Sequence, residues 1–326
     1  MGAPGSLRLA TRGSPLALHQ TELVAGALHD AHADLAIEVV VVRTRGDEDA
    51  SSLDQIGGQG VFVTEVEAAV ADGRADAAVH SAKDLTSVMA AGLVLAAVPP
   101  RADPRDGLVG AALADLPAGA LIATGSARRR AQLAALRPDL VFTDVRGNMA
   151  RRVALGESGE VSAVVVAVAA MERLGWTDRL ADVLDPVDVL PQAGQGAIAV
   201  QCRADDDGTR RALGAVDHDP SHRALRAERA VLATLGGSCT VPVGAFAEVL
   251  DDAGGRGARL RVQGLLASAD GRTVIRLARE GDDPEAVGME VARALLAGGG
   301  RAVEGFADVA LAGPNGGTSG ADGAGE

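Results

Sequence analysis

The sequence predicts an α/β protein with mainly parallel sheets, in which two similar halves face a cleft and a small α+β domain follows. Three observations predict it. Short apolar runs alternate with amphipathic helical stretches from Ser6 to about Cys202. The alternation is interrupted at "PPRADPRD" (99–106), where prolines and charges suit a hinge or crossover. From about Pro220 one long helical stretch gives way to three strand-like runs.

The elements follow in order. "SLRLATR" reads as a strand, and "SPLALHQTELVAGALHDAH" as a helix with Ser14 as N-cap and Pro15 at its first position. "IEVVVVRT" reads as a buried strand. "GVFVTEVEAAVADGR" is an amphipathic helix after the "GGQG" loop, and "ADAAVHS" and "LVLAAVPP" are further strands. A second set opens with the strand "GALIATGS" and the helix "ARRRAQLAALRP". "LVFTDVRG" and "NMARRVALGESG" repeat that unit, and "VSAVVVAVAAMERLG" is a strand running into a helix. "LPQAGQGAIAVQCR" leads back through another strand. The last region holds strands near 241–249, 259–268 and 272–280, then the helix "DPEAVGMEVARALLAG". These limits divide the chain into 1–98 plus 195–218, 99–194, 219–312, and a Gly-rich tail, 313–326, expected to be disordered.

Composition narrows the function. The chain is 47% hydrophobic but has one Trp, four Phe and no Tyr, so its cores are aliphatic. Two cysteines suit a reducing cytoplasm better than a disulfide framework. The start "MGAPGSLRLATRG" has no apolar signal-peptide core, and no apolar run reaches the ~18 residues of a membrane span. A net charge of −13 argues against nucleic acid as partner. Yet between Ala123 and Leu155 seven arginines stand against two acids, a local balance of +5 suited to focusing a small anion. Of 31 basic residues only Lys83 is a lysine, which points to a task for a compact ammonium in a confined site.

Several motifs carry chemistry. In "IATGSARRRAQL" a strand ends at Ala123 and Thr124, a Gly-Ser turn through Ser126 follows, and a helix starts near Ala127 whose N-terminus, with Arg128 and Arg129, suits an anion. "DVRGNMARR" repeats that corner around Asn148, with Arg146 and Arg152 beside it. Carboxylates and phosphates fit the charge equally well, although no Walker-type loop is present. "HSAKD" ends a strand, where α/β domains place ligand chemistry, and sets Lys83 beside Asp84. Arg12, Ser14, Arg43, Arg45 and Asp47 lie near strand ends of the first half. His80 reads as a core histidine and Cys202 as core, and no zinc spacing or Ser/His/Asp order stands out. Cys239, in "LGGSCTVPVG", is either a small buried hydrophobe or a thiol exposed by its Gly-Gly-Ser approach for a covalent link.

Together "LATRGSPLAL", "TRGD", "GGQGVFVTEVE", "RADAAVHSAKDL", "DPRD", "GSARRRAQL", "VRGN", "LPQAGQGAIAVQCR" and "GGSCTVPVGAFA" resemble the porphobilinogen deaminase (hydroxymethylbilane synthase) family. The resemblance runs from about Leu7 to about Ala307. It implies two periplasmic-binding-protein-like (type II) domains around a cleft plus a small α+β C-terminal domain. It implies a monomeric cytoplasmic transferase of haem and porphyrin biosynthesis, acting on porphobilinogen, with neither nucleic acid, membrane nor metal. Four porphobilinogens would condense, each losing ammonia, onto a dipyrromethane cofactor held by a thioether on Cys239, and hydroxymethylbilane would be released by hydrolysis. By the same resemblance Asp84 is the catalytic residue. Ser81, Lys83, Thr124, Ser126, Arg128, Arg129 and Asn148 lie around the cofactor. Arg12, Ser14, Arg146, Arg152 and Arg173 handle substrate, and Gln59 and Phe62 belong to an active-site loop. Gln55 and Gln59 stand where some members have lysine, Thr86 where proline is usual, and Ser238 where glycine or alanine is common. These departures motivate the alternative, a weakened paralogue that only binds carboxylate-rich small molecules.

Overall fold

The computed structural model describes residues 5–44, 60, 62–236, 241–250, 259–303 and 306. Among them lie thirteen strands in three sheets.

The first sheet is built from β1 (Ser6–Arg12), β2 (Ala36–Val42), β3 (Ala77–Ser81), β4 (Leu93–Ala97) and β10 (Ile198–Arg203), in the order β2-β1-β3-β10-β4. The second is built from β5 (Asp106–Gly110), β6 (Leu121–Ala123), β7 (Val141–Thr143), β8 (Ala163–Ala167) and β9 (Asp182–Val183), in the order β7-β6-β8-β5-β9. The two orders are equivalent. In each, the strand that enters from the other half is inserted antiparallel between its neighbours: β10 between β3 and β4, β5 between β8 and β9. This is the paired arrangement expected of type II periplasmic-binding-protein-like domains, and it corrects one detail. The sheets are mixed rather than mainly parallel, because a strand crossing over from the opposite half arrives running the other way.

Helices cover both faces of the first sheet. Helix α1 (Pro15–Ala31) starts where the sequence predicts, with Ser14 Oγ accepting from Ala17 N–H at 3.3 Å. Its Val24 and Leu28 pack with Leu7, Leu9, Ile198 and Val200. Helix α2 (Thr64–Ala71) sets Val66, Ala69 and Val70 against Ala10 and Ala78 on the opposite face. Each fully buried Leu, Val or Ile contributes roughly 1.5–3 kcal/mol, so this core rests on aliphatic packing. β2 departs from expectation. It is an edge strand with Val39 41% and Val41 55% exposed, since an outermost strand receives cover from fewer neighbours.

Helices α3 (Ala127–Leu136), α4 (Met149–Glu157) and α5 (Val168–Arg173) serve the second sheet. α6 (Asp207–Gly214) returns to the first, where Ala212 and Leu213 join its core. The third sheet, β11 (Val243–Leu250), β12 (Arg259–Ala267) and β13 (Val274–Gly281), is antiparallel throughout. It packs on α7 (Asp219–Thr234) and α8 (Pro284–Ala297), with Phe306 closing that core.

A buried carboxylate ties the third unit to the two segments that cross between the first and second sheets. Glu228 of α7 accepts from Arg101 Nη1 at 2.6 Å and Nη2 at 3.2 Å, from Gly194 N–H at 2.6 Å and from Ala247 N–H at 2.8 Å. Arg276 of β13 donates to the carbonyls of Val187 and Asp188 and to Gln132 of α3. No helix among the described residues is long and apolar enough to cross a membrane.

Candidate functional site

The C-terminal ends of β1 and β3 open side by side. β1 delivers Arg12 and, one turn on, the cap residue Ser14. β3 delivers His80 and Ser81 and passes into a single helical turn, Ala82–Asp84. Arg12, Ser14, Gln20, Phe62, Ser81 and Asp84 line a cavity of about 60 Å³. The Arg12 guanidinium lies over the Phe62 ring, 4.1 Å from its centre, so the aromatic face holds the cation in place. Ser81 Oγ donates to Gln20 Oε1 at 2.9 Å. His80 is buried behind this wall, and burial pushes its pKa down to about 4, with Arg12 acting in the same direction. It is a neutral imidazole at physiological pH.

Lys83, half-buried, faces the second sheet. Its Nζ donates to Gln195 Oε1 at 3.4 Å, and its carbonyl accepts from Gln192 Nε2 at 3.1 Å. Confinement away from water lowers its pKa to about 8. Arg129 and Arg152 add to that depression, and Asp84 and Asp106 oppose it.

Asp106, at the start of β5, is fully buried. Arg129 donates to its Oδ1 through Nε at 3.0 Å and Nη2 at 2.7 Å, and through Nη1 to the Val165 carbonyl at 3.0 Å. Gln195 Nε2 reaches the same oxygen at 2.8 Å. Burial alone would raise the Asp106 pKa, but the Arg128 and Arg129 charges overrule it and hold the carboxyl below the usual range. Arg128 is placed differently. Its Nη1 donates to the Leu190 carbonyl at 2.6 Å. Its Nη2 lies 2.8 Å from Asp106 Oδ2 as an ion pair but out of hydrogen-bond alignment, so Nε and Nη2 are buried donors with no hydrogen-bond partner.

The polar residues at the two basic corners work as caps. Ser126 Oγ accepts from Arg129 N–H at 3.4 Å at the start of α3, and Thr124 Oγ1 accepts from Ser126 N–H at 3.2 Å. Asn148 Oδ1 accepts from Arg151 N–H at 3.1 Å at the start of α4. Arg152 donates through Nε to the Gly147 carbonyl at 3.0 Å. Burial lowers its pKa, and Asp84, Arg129 and Arg146 all act on it electrostatically. Arg173 bridges from α5 to the returning segment, donating to the Gly196 carbonyl at 2.7 Å.

One cleft thus gathers most residues singled out in the sequence. Arg12, Ser14, Phe62, Ser81 and Asp84 form one wall. Lys83 links it to the Arg128–Arg129 pair, and Arg152 lies in the field of both Asp84 and Arg129. Gln55, Gln59, Ser238 and Cys239 lie outside the described residues. Where proline is usual after Leu85, the Thr86 hydroxyl donates to the Val88 carbonyl at 2.6 Å, tying the turn by another means.

Sequence reasoning missed Asp106, Gln195 and Gln20. Asp106 was present in "DPRD" and Gln195 in "AGQG", but nothing local marks either as a partner of a side chain on another element. Among the described residues no group of three or more His, Cys, Asp or Glu is arranged to hold a metal ion.

Comparison with known proteins accords with this site. Residues 7–211 match the family model described as porphobilinogen deaminase, dipyromethane cofactor binding domain, and residues 223–297 match the porphobilinogen deaminase C-terminal domain. The chain is 44% identical over 303 residues to a porphobilinogen deaminase of Roseiflexus sp., covering 91% of this chain and 98% of that one. It is 44% identical over 305 residues to that of Gloeobacter violaceus, covering 90% and 92%. To that of Thermus thermophilus it is 43% identical over 300 residues, covering 90% and 97%. With two family models spanning its length and relatives of this closeness, the chain belongs to the porphobilinogen deaminase family.

Proposed function

We propose that this chain is a transferase of tetrapyrrole biosynthesis, a hydroxymethylbilane synthase that condenses four porphobilinogen molecules, each with loss of ammonia, and releases the product by hydrolysis. The observation that carries this reading is the position of Asp84. It is a half-buried carboxylate at a strand end, between the Arg12 wall and the Lys83–Arg152 cations. A pyrrole substrate bears acidic side chains and a ring nitrogen that becomes electron-poor as ammonia leaves. Guanidiniums suit the former and a lone carboxylate suits the latter.

The residues fit a dipyrromethane cofactor. Arg128 offers two buried donors with no hydrogen-bond partner, Nε and Nη2, which a cofactor carboxylate would satisfy. Lys83, Arg129 and the α3 N-terminus with Ser126 and Thr124 would hold its other acidic groups, and Cys239 is the attachment residue by family resemblance. When bound, the cofactor supplies the primer onto which the pyrroles are joined.

The chain's own part is orientation and charge. Arg12, Ser14, Arg146, Arg152 and Arg173 would bind incoming carboxylates. Phe62 holds Arg12 toward the cavity. Asp84 would accept hydrogen bonds from pyrrole N–H groups and offset the positive charge that develops there, which is worth about 10²–10⁴-fold in rate for a positioned acid or base. The three sheets would correspond to domains 1–98 plus 195–218, 99–194 and 219–312, acting as a cytoplasmic monomer.

The test is to mix the purified chain with porphobilinogen and follow its disappearance. Steady consumption with release of hydroxymethylbilane is expected. Binding without consumption would sink the reading and favour a carboxylate-binding paralogue.

A further inference from the structure

The turn Gly194-Gln195-Gly196 sits where the parts of the molecule meet. Gly194 N–H donates to Glu228 at 2.6 Å. The Gln195 carbonyl accepts from Arg101 Nε at 2.8 Å, and the Gly196 carbonyl accepts from Arg173 at 2.7 Å. Both glycines have positive φ, +75° and +85°, and a Cβ on Gly196 would lie 2.4 Å from the Ala102 carbonyl. The backbone therefore fixes where the Gln195 side chain emerges.

That side chain is fully buried and its amide is fully committed. One Nε2 proton goes to the Pro104 carbonyl at 2.7 Å and the other to Asp106 Oδ1 at 2.8 Å. Oε1 is left to accept from Lys83 Nζ at 3.4 Å. The opposite amide orientation would set oxygen against both the Asp106 carboxylate and a carbonyl, so only one orientation satisfies the site. Asp106 meanwhile takes three donors on Oδ1 and faces Arg128 through Oδ2, which fixes the planes of both guanidiniums.

We propose that Asp106 and Gln195 are positioning residues: Asp106 aims the Arg128–Arg129 pair, and Gln195 carries that alignment across the cleft to Lys83. What these cations grip rests on the function proposed above, but the alignment itself does not. Asp106 brings one negative charge to two adjacent guanidiniums, so the pair keeps a net positive charge, and the Arg128 donors outside hydrogen-bond alignment with it, Nε and Nη2, remain the attractive ones for a carboxylate. Gln195 gives Lys83 a neutral acceptor, so its ammonium keeps its charge available for an anionic guest.

The single lysine makes a clean test, since an amine-reactive reagent labels Lys83 and the α-amine alone, and peptide masses separate the two. The full chain carrying Cys239→Ser is labelled with acetic anhydride at pH 7, alone and with Gln195→Met, Asp106→Asn or Gln192→Met added. Losing a hydrogen bond to the charged amine exposes more neutral, reactive amine, so Gln195→Met should raise Lys83 labelling about three- to tenfold. Asp106→Asn should raise it as well. Gln192→Met, which removes a hydrogen bond to the Lys83 carbonyl rather than to its amine, should stay within about twofold of the parent. If a folded Gln195→Met chain labels like the parent, or no faster than Gln192→Met, Gln195 has no positioning role and the proposal falls. Should Asp106→Asn not fold, Gln195→Met still decides. Labelling needs no porphobilinogen, so failure of the wild-type chain to consume that compound would remove the proposed function and leave this result standing.

Discussion

Asp106 Oδ1 lies 2.7 Å from Arg129 Nη2, and both side chains are sealed from solvent. Two buried guanidiniums share this one carboxylate, so the group is stable only while the carboxylate stays ionised. Asp106→Asn should therefore cost about 3–5 kcal/mol, the usual effect of stranding buried charge. Urea unfolding at pH 7 reads it. The sign of the pH effect follows from the lowered pKa of Asp106. Its stabilisation is complete above the unfolded carboxylate value of about 4 and is lost as pH falls below it. In Asp106→Asn that acid-sensitive part of the stability curve should flatten.

Lys83, with a pKa near 8, should behave unlike a surface lysine. Its acylation rate should rise with a midpoint near pH 8, against an ordinary lysine near 10.4. Adding porphobilinogen should slow that labelling, because a bound carboxylate keeps the ammonium charged. A midpoint above pH 10, or no protection, would show that Lys83 does not face the binding cleft.

The Arg12 guanidinium, 4.1 Å from the Phe62 ring centre, predicts that the ring matters through the cation rather than by packing. Phe62→Leu keeps bulk and removes the π face. It should raise KM for porphobilinogen by about tenfold while changing the melting temperature little, given cation–π energies of about 0.5–2 kcal/mol. An unchanged KM would assign Phe62 to packing alone.

Gly196→Ala should destabilise the chain by about 1–3 kcal/mol or more, since φ is +85° and the new methyl meets the Ala102 carbonyl. Thermal melting measures this directly. A melting temperature equal to the parent's would mean that the junction tolerates the extra carbon.

Local signals were legible in the sequence and long-range ones were not. Ser14 followed by Pro15 marked the start of α1, Ser126 and Asn148 marked two more helix starts, and Asp283 caps α8 in the same way. Each is a contact within three residues, so spacing alone reveals it. The partnership of Asp106 with Arg129 spans 23 residues and that of Lys83 with Gln195 spans 112, and no periodicity encodes either. The exposure of Val39 and Val41 was misread for the same reason. A run of valines announces a strand, but whether it lies at the centre or edge of a sheet depends on pairings made elsewhere. Arg128 and Arg129 were found as cations, whereas their division of labour, one hydrogen-bonded to Asp106 and one ion-paired with it but left with two donors outside hydrogen-bond alignment, required the structure.

The central claim is that the Asp84 carboxylate drives condensation on a primer carried by Cys239. Intact-mass spectrometry of wild-type and Asp84→Asn chains, before and after brief exposure to porphobilinogen, tests it most directly. Both should carry the mass of two linked pyrroles on the Cys239 peptide, and only the wild type should then advance in one-pyrrole steps, the variant being slowed about a hundredfold or more. An Asp84→Asn chain that climbs the same ladder at the wild-type rate would contradict the account.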